Sequence, residues 1–244
     1  MLRFLFALLA ITLFLVLTLP VTFVEWLIAR RQPGAGDVRA LHMVQWILRV
    51  ISKICGIQLT VLGREYIPKD GAVLYIANHR SIFDVLIVYL LCPSVTGFIA
   101  KKELRRIPLL SFWIHRLHCL FLDRDDIREG LKTILTAIDY MKAGISIVVF
   151  PEGTRGRSED ETELLPFHEG SFKIAVKSGC PIVPMAISHS SGIFEDHFPF
   201  IKPTEVTVEF GAPIYPDTLS REEKKFLGKQ VQGIIHAMLV KNHS

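Results

Sequence analysis

GAVLYIANHRSIFDVLIVYLL, residues 71–91, decides the fold. Its first eight residues, 71–78, are almost continuously apolar. A strand that is apolar on both of its alternating faces is covered on both sides, as in a parallel sheet. The polar stretch NHRS then interrupts the run, and a helix is predicted through 81–91. Strand, polar turn and helix in immediate succession is the unit from which α/β sheets are built.

The same alternation extends in both directions. Strands are predicted at IQLTVLG (57–63), TGFIAK (96–101), CLFLDR (119–124), ISIVVF (145–150), PIVPMAIS (181–188) and EVTVEFG (205–211). The first alternates apolar and polar residues, as a half-exposed strand does. Helices are predicted at 104–118, 127–143 and 171–178, and from Ser220 to about Val240. In the second of these, Leu131, Ile134, Leu135, Ile138 and Met141 are placed on one face, with Gly144 as the stop. The last opens with Ser220 and Glu223 at capping-box spacing. The expected fold class is α/β, a mostly parallel sheet flanked by helices, over 56–244.

Residues 1–55 read differently. FLFALLAITLFLVLTL is an unbroken, nearly apolar run that Pro20 interrupts and VTFVEWLIARR continues. A helix over 4–28 would be ~37 Å long, enough for a bilayer core, although Glu25 lies inside it. A retained anchor is expected rather than a cleaved signal peptide, because no small-x-small cleavage site follows. After the loop QPGAGD (32–37), a second helix over 38–55 puts Arg39, His42, Gln45, Arg49, Ser52 and Lys53 on one face and apolar residues on the other. Such a helix suits a membrane interface, and equally a domain core. The expectation is an N-terminal helical hairpin in the cytoplasmic leaflet of the inner membrane, its arginines facing anionic headgroups.

Composition limits the function classes. The chain is 50% hydrophobic and 21% charged, so its excess apolar character is concentrated in a few segments. A net charge of +4, without a basic tail or an aromatic RNA-binding motif, argues against nucleic acid as a partner. The four cysteines, Cys55, Cys92, Cys119 and Cys180, form no CxxC pair and read as free thiols.

Polar clusters stand at three strand ends. NHRSIFD (78–84) holds His79 and Asp84, five residues apart. On one ideal helix they would face about 140° apart. With His79 in the turn and Asp84 in the first helical turn they can meet, and the carboxylate then fixes the imidazole tautomer. The plainer alternative is a helix-capping Asp and an incidental His. FPEGTRGR (150–157) follows the most apolar strand, and Pro151 and Gly153 impose a turn. Thr154, Arg155 and Arg157 offer donors suited to a phosphate, or else a solvated loop. The third cluster is Arg124 in FLDR together with Lys101 and Lys102 in AKKEL. His115 and His118, three apart, leave open a metal-dependent hydrolase built with His79 and Asp84.

Together these blocks resemble the glycerolipid acyltransferases, most closely the bacterial 1-acyl-sn-glycerol-3-phosphate acyltransferases. NHRSIFD fits the family's NHxxxxD motif at Asn78, His79 and Asp84; FLDR ends in Arg124; FPEGTR and VPMAI fit the third and fourth blocks. The resemblance spans roughly 59–215, in the family's order. It implies acyl transfer from acyl-CoA or acyl carrier protein to the 2-hydroxyl of lysophosphatidic acid, or of another lysolipid, with membrane lipids as partners. His79 and Asp84 would be catalytic. Lys101, Arg124, Glu152, Gly153, Thr154 and Arg155 would lie at the substrate. No metal or other cofactor is required by that scheme. Apolar side chains after Leu104, such as Trp113, are candidates for an acyl tunnel or for plain core.

Overall fold

A computed structural model describes residues 1–32, 34, 36–122 and 126–243. Arg124, one of the expected substrate contacts, lies outside them. The strands are β1 (Ile57–Leu62), β2 (Leu74–Ala77), β3 (Thr96–Lys101), β4 (Leu120–Leu122), β5 (Ser146–Val149), β6 (Ile182–Ser188) and β7 (Thr204–Phe210). They form one seven-stranded sheet in the order β1-β7-β6-β2-β5-β3-β4. All neighbours are parallel except β6 and β7, so β7 and β1 run against the other five.

β2 shows why continuous apolarity meant two covered faces. Val73, Tyr75 and Ala77 join the cluster on one side, and Ala72, Leu74 and Ile76 the cluster on the other. Successive side chains of a strand point to opposite faces, so each half of the run has its own core. The first face is covered by α3 (Asp37–Cys55), α4 (Phe83–Leu91) and α5 (Pro108–Arg116). The second is covered by α6 (Ile127–Lys142), α7 (Phe172–Ser178) and α9 (Leu227–His243). Between α7 and α9, the short α8 (Arg221–Lys225) opens with the expected capping box of Ser220 and Glu223.

Several elements differ from expectation. The helix over 104–118 is a 3-10 turn at Lys102–Arg106 followed by α5, because Pro108 resets the helix at its first turn. On α6 the buried stripe is Ala137, Ile138 and Met141, while Leu131 and Leu135 stand exposed. The C-terminal helix breaks at Phe226. Trp113 is buried against Phe14, with ring centroids 5.4 Å apart, and belongs to the core.

The N-terminal run is two helices, α1 (Leu2–Leu17) and α2 (Leu19–Arg31), bent by 52° at Thr18. Among the described residues no single helix is long and apolar enough to cross a membrane; the bent pair passes that test by length and composition. The Thr18 hydroxyl donates to the Phe14 carbonyl at 2.6 Å, and Pro20 has no N–H to continue the ladder. α1 packs back along α3, and Arg3 donates to the Ile54 carbonyl at 3.3 Å. The apolar face of α3 is therefore spent on the domain: Ala40, Leu41, Ile47 and Ile51 are buried, and Gln45 donates to the carbonyls of Tyr89 and Cys92. Most of the exposed apolar surface of this region lies on α1 and α2, at residues such as Leu5, Leu9, Leu13, Phe23 and Val24, with Val38 and Trp46 of α3 added to it.

Glu25, awkward in a membrane span, is only 1% exposed and accepts from Arg39 at 2.6 Å and Arg116 at 3.1 Å. Arg116 also pairs with Asp37, which meets His118 Nε2 at 2.5 Å. This buried network ties α2, the start of α3 and the end of α5 together. Gly36, with φ +84°, sits inside it; a Cβ there would come within 2.8–2.9 Å of Glu25, Arg39 and Arg116. His118 is thus engaged with Asp37. Arg39, expected to face headgroups, is bound to Glu25.

Candidate active site

The carboxyl ends of β2, β5 and β6 open on one edge of the sheet, the usual ligand position of such folds. Asn78, directly after β2, extends the ladder with its side chain. Its amide donates to the Ile187 carbonyl at 2.9 Å and accepts the Ile187 N–H at 2.8 Å. Asn78→Ala strands both backbone groups in a buried setting. The expected cost is about 1–3 kcal/mol, read as a lower denaturant midpoint at unchanged slope.

The next residue turns out of the strand. His79 Nδ1 lies 2.8 Å from Asp84 Oδ2, which is fully buried in the first turn of α4. The same oxygen accepts the backbone N–H groups of Arg80 and Ser81, each at 2.8 Å. A carboxylate oxygen facing three donor positions must receive the Nδ1 proton. The neutral His79 ring therefore carries its hydrogen on Nδ1 and leaves Nε2 with a free lone pair. The ring stacks on Phe150, centroids 4.3 Å apart, and stays partly open to solvent.

FPEGTR follows β5. Gly153, at φ +71°, closes the turn, its N–H donating to the Phe150 carbonyl at 3.0 Å. Glu152 points inward. It is 4% exposed and accepts the N–H of His79 at 2.8 Å and that of Leu165 at 3.0 Å. Burial raises its pKa above the usual carboxylate value, opposed by those two hydrogen bonds and by His79 and Arg80. Glu152 thus braces the turn that holds His79. The Gly156 N–H donates to the His79 carbonyl at 2.8 Å, and the buried Arg80 guanidinium holds the Ser158 carbonyl. Thr154 and Arg155 face outward.

Arg155 reaches Glu195, in a 3-10 turn beyond β6, at 2.7 Å. Glu195 also accepts the Ser81 hydroxyl at 2.6 Å and the Ile82 N–H at 2.8 Å, at the start of α4. An arginine and a helix N-terminus therefore converge on one carboxylate beside His79, an arrangement that suits an anion. The sequence reading missed Glu195, which belongs to no local pattern, and passed over Arg80 inside NHRSIFD, whose partner Ser158 is distant in sequence. Lys101 is exposed at the end of β3, on the same edge of the sheet. His115 stands apart from the pair; its ring meets Phe121 edge-on, and burial, then Arg105, lowers its pKa.

The acyltransferase family's sequence model matches residues 58–188, which contain the His79–Asp84 turn and the Glu152 brace. A 1-acyl-sn-glycerol-3-phosphate acyltransferase of Borreliella burgdorferi is 33% identical over 187 residues, 76% of this chain and 73% of that protein. The chain belongs to the acyltransferase family. This acyltransferase is also 29% identical over 188 residues to the yeast (Saccharomyces cerevisiae) 1-acyl-sn-glycerol-3-phosphate acyltransferase, covering 75% of the chain but only 61% of the yeast protein. The fold agrees with the crystal structure of the 1-acyl-sn-glycerophosphate (LPA) acyltransferase PlsC from Thermotoga maritima. The TM-score is 0.84 at 26% identity, over 100% of this chain and 95% of that one.

Proposed function

We propose that this acyltransferase moves a fatty acyl group from an acyl thioester to the 2-hydroxyl of lysophosphatidic acid, giving phosphatidic acid. The observation that carries the reading is the orientation of His79: Nδ1 is committed to Asp84, and Nε2 is free. A glycerol hydroxyl is a poor nucleophile at neutral pH and needs a base. Nε2 takes the hydroxyl proton as the oxygen attacks the thioester carbonyl, and Asp84 steadies the resulting imidazolium. When the tetrahedral intermediate collapses, the C–S bond breaks and the thiolate leaves, taking the proton from Nε2. The acceptor hydroxyl stands where a serine would in a triad, so no acyl-enzyme forms. Acyl-CoA and acyl carrier protein both offer the required thioester.

The acceptor phosphate is assigned to Arg155 and the start of α4, the position Glu195 occupies with the same sign of charge. Arg155→Ala is expected to raise the half-saturating acceptor concentration roughly 10–150-fold, the loss of about 1.5–3 kcal/mol from a charge-assisted contact. Arg155→Lys recovers part of it, since a fork becomes a point charge. Glu195→Gln should move the same constant the other way, about two- to fivefold, because a partly exposed ion pair of this kind is worth under ~1 kcal/mol. An unchanged acceptor dependence in Arg155→Ala removes the residue from the site.

The exposed apolar surface of α1 and α2 supports membrane attachment close to lipid substrates, and the cytoplasmic side is the one proposed, where acyl-CoA and acyl carrier protein are supplied. One experiment tests the whole reading. Purified protein is given acyl-CoA and acyl carrier protein thioesters with lysophosphatidic acid, a neutral-headgroup lysophospholipid and a lyso-ornithine lipid, and the products are weighed by mass spectrometry. Phosphatidic acid as the dominant product supports the reading; preference for another acceptor overturns it.

A further inference from the structure

Away from the His79 turn, three side chains from distant parts of the chain converge. Glu161 lies six residues beyond Arg155 in the loop after β5, His189 directly follows β6, and His243 ends α9. One ligand atom from each lies within 4.8 Å of the other two. Glu161 Oε2 is 3.0 Å from His243 Nε2 and 3.6 Å from His189 Nδ1. Tetrahedral zinc, with bonds of about 2.0–2.1 Å, sets its ligand atoms roughly 3.4 Å apart. The two distances bracket that edge.

The hydrogen bonding around the cluster leaves a gap that a proton or a metal ion must fill. His243 Nδ1 lies 2.8 Å from the Leu239 carbonyl, one helical turn back, and so must carry a hydrogen. In the neutral ring Nε2 then has a bare lone pair, and it faces a carboxylate oxygen. Two acceptors at 3.0 Å repel unless a proton or a metal ion lies between them. A backbone carbonyl fixing the far nitrogen is also the usual support of a metal-bound histidine.

The other two members are prepared in the same way. His189 adopts φ +67°, rare for a residue with a side chain, and so sends its ring to the carboxylate. Glu161 is oriented by the Ser191 hydroxyl and the His189 N–H, both at 2.7 Å. Burial alone would raise its pKa; those bonds and His243 outweigh it and hold the group ionised below its usual value. Asp160 and Asp196 add negative charge around the site, through His243 and Ser191 respectively.

We propose that Glu161, His189 and His243 bind a zinc-class divalent cation, with the outward position left to water. Two imidazoles and one carboxylate are a donor set that suits zinc rather than magnesium or calcium. The ion takes no part in acyl transfer. It straps the end of α9 to the loop that carries Glu152 and Arg155.

The test uses the full chain in detergent micelles, stripped with a chelator and titrated with Zn²⁺ at pH 7.5. One saturable site is expected, with a Tm that rises with zinc concentration. Cobalt(II) in its place should show the visible absorption of tetrahedral coordination. His243→Ala, His189→Ala and Glu161→Gln should each weaken zinc binding by at least about 100-fold. His189 and His243 are partly exposed, so their apo variants should melt close to the apo parent, whereas Glu161→Gln also changes the bonds from His189 and Ser191 and is read by zinc affinity alone. No saturable binding in the parent, or equal binding by parent and variants, overturns the proposal. In the first case His243 meets Glu161 as a protonated imidazolium only.

Discussion

His79→Ala lowers acyl transfer by about 10²–10⁴, the usual worth of a general base, with little change in stability. The ring lies in the turn after β2, partly exposed and stacked on Phe150, outside the two buried core clusters, so its loss opens little of the core. Asp84→Ala should fall to a similar level, and the double variant should lose little more than either, because the pair acts as a unit. Asp84→Asn is expected to be milder, roughly 10–150-fold. The N–H groups of Arg80 and Ser81 hold an oxygen at the Oδ2 position, so an Asn carbonyl is drawn there and the Nδ1–H bond survives. What Asn removes is the charge that stabilises imidazolium, worth about 1.5–3 kcal/mol as a charged hydrogen bond. Steady-state rates with circular dichroism on each variant decide it. Multiplying losses in the double variant would mean that the two residues act independently.

Arg116→Met should cost about 3–5 kcal/mol of stability, the penalty for leaving buried carboxylates without their partner. Arg116 faces both Glu25 and Asp37, and all three are at least nine-tenths buried. Arg39 still reaches Glu25, which favours the lower end of the range. Adding Glu25→Gln should restore part of the loss, since a neutral amide costs less to bury than an unpaired carboxylate. Denaturant unfolding gives the number, and proteolysis at the connection between α2 and α3 shows whether the helices have loosened. A change below about 1 kcal/mol would mean that water already screens the network.

The sheet and the histidine turn were legible because both are local. Residues 71–78 declare a strand covered twice, and five residues of spacing allow His79 in a turn to meet Asp84 in a helix. What was hidden depends on distant partners. Glu195 is 114 residues from Ser81 and meets it only after β6 pairs with β2. Glu25 reads as a flaw in an apolar helix until Arg116, 91 residues later, is seen beside it. α3 is amphipathic as expected, although Gln45 and Ser52, placed on its polar face, are buried; periodicity also does not say whether lipid or protein covers the apolar side. Here α1 and the sheet domain do. The reversal of β7 comes after a connection of fifteen residues, 189–203, and strand composition does not encode direction.

The order in which these parts are made has a consequence for biogenesis. α1 and α2 leave the ribosome well ahead of β6, which completes the centre of the sheet about 150 residues later. At cellular synthesis rates that is a gap of roughly 10–30 s. Throughout it, Ala7 and Phe14 have no sheet domain to pack on, and the charge of Glu25 has Arg39 but not Arg116. A nascent chain in that condition must be received by a lipid surface or a chaperone before its catalytic half exists. Whichever receives it, α1 and α2 must be kept from other partners until the sheet exists to take them, so the finished fold depends on a holding step that none of its own contacts records.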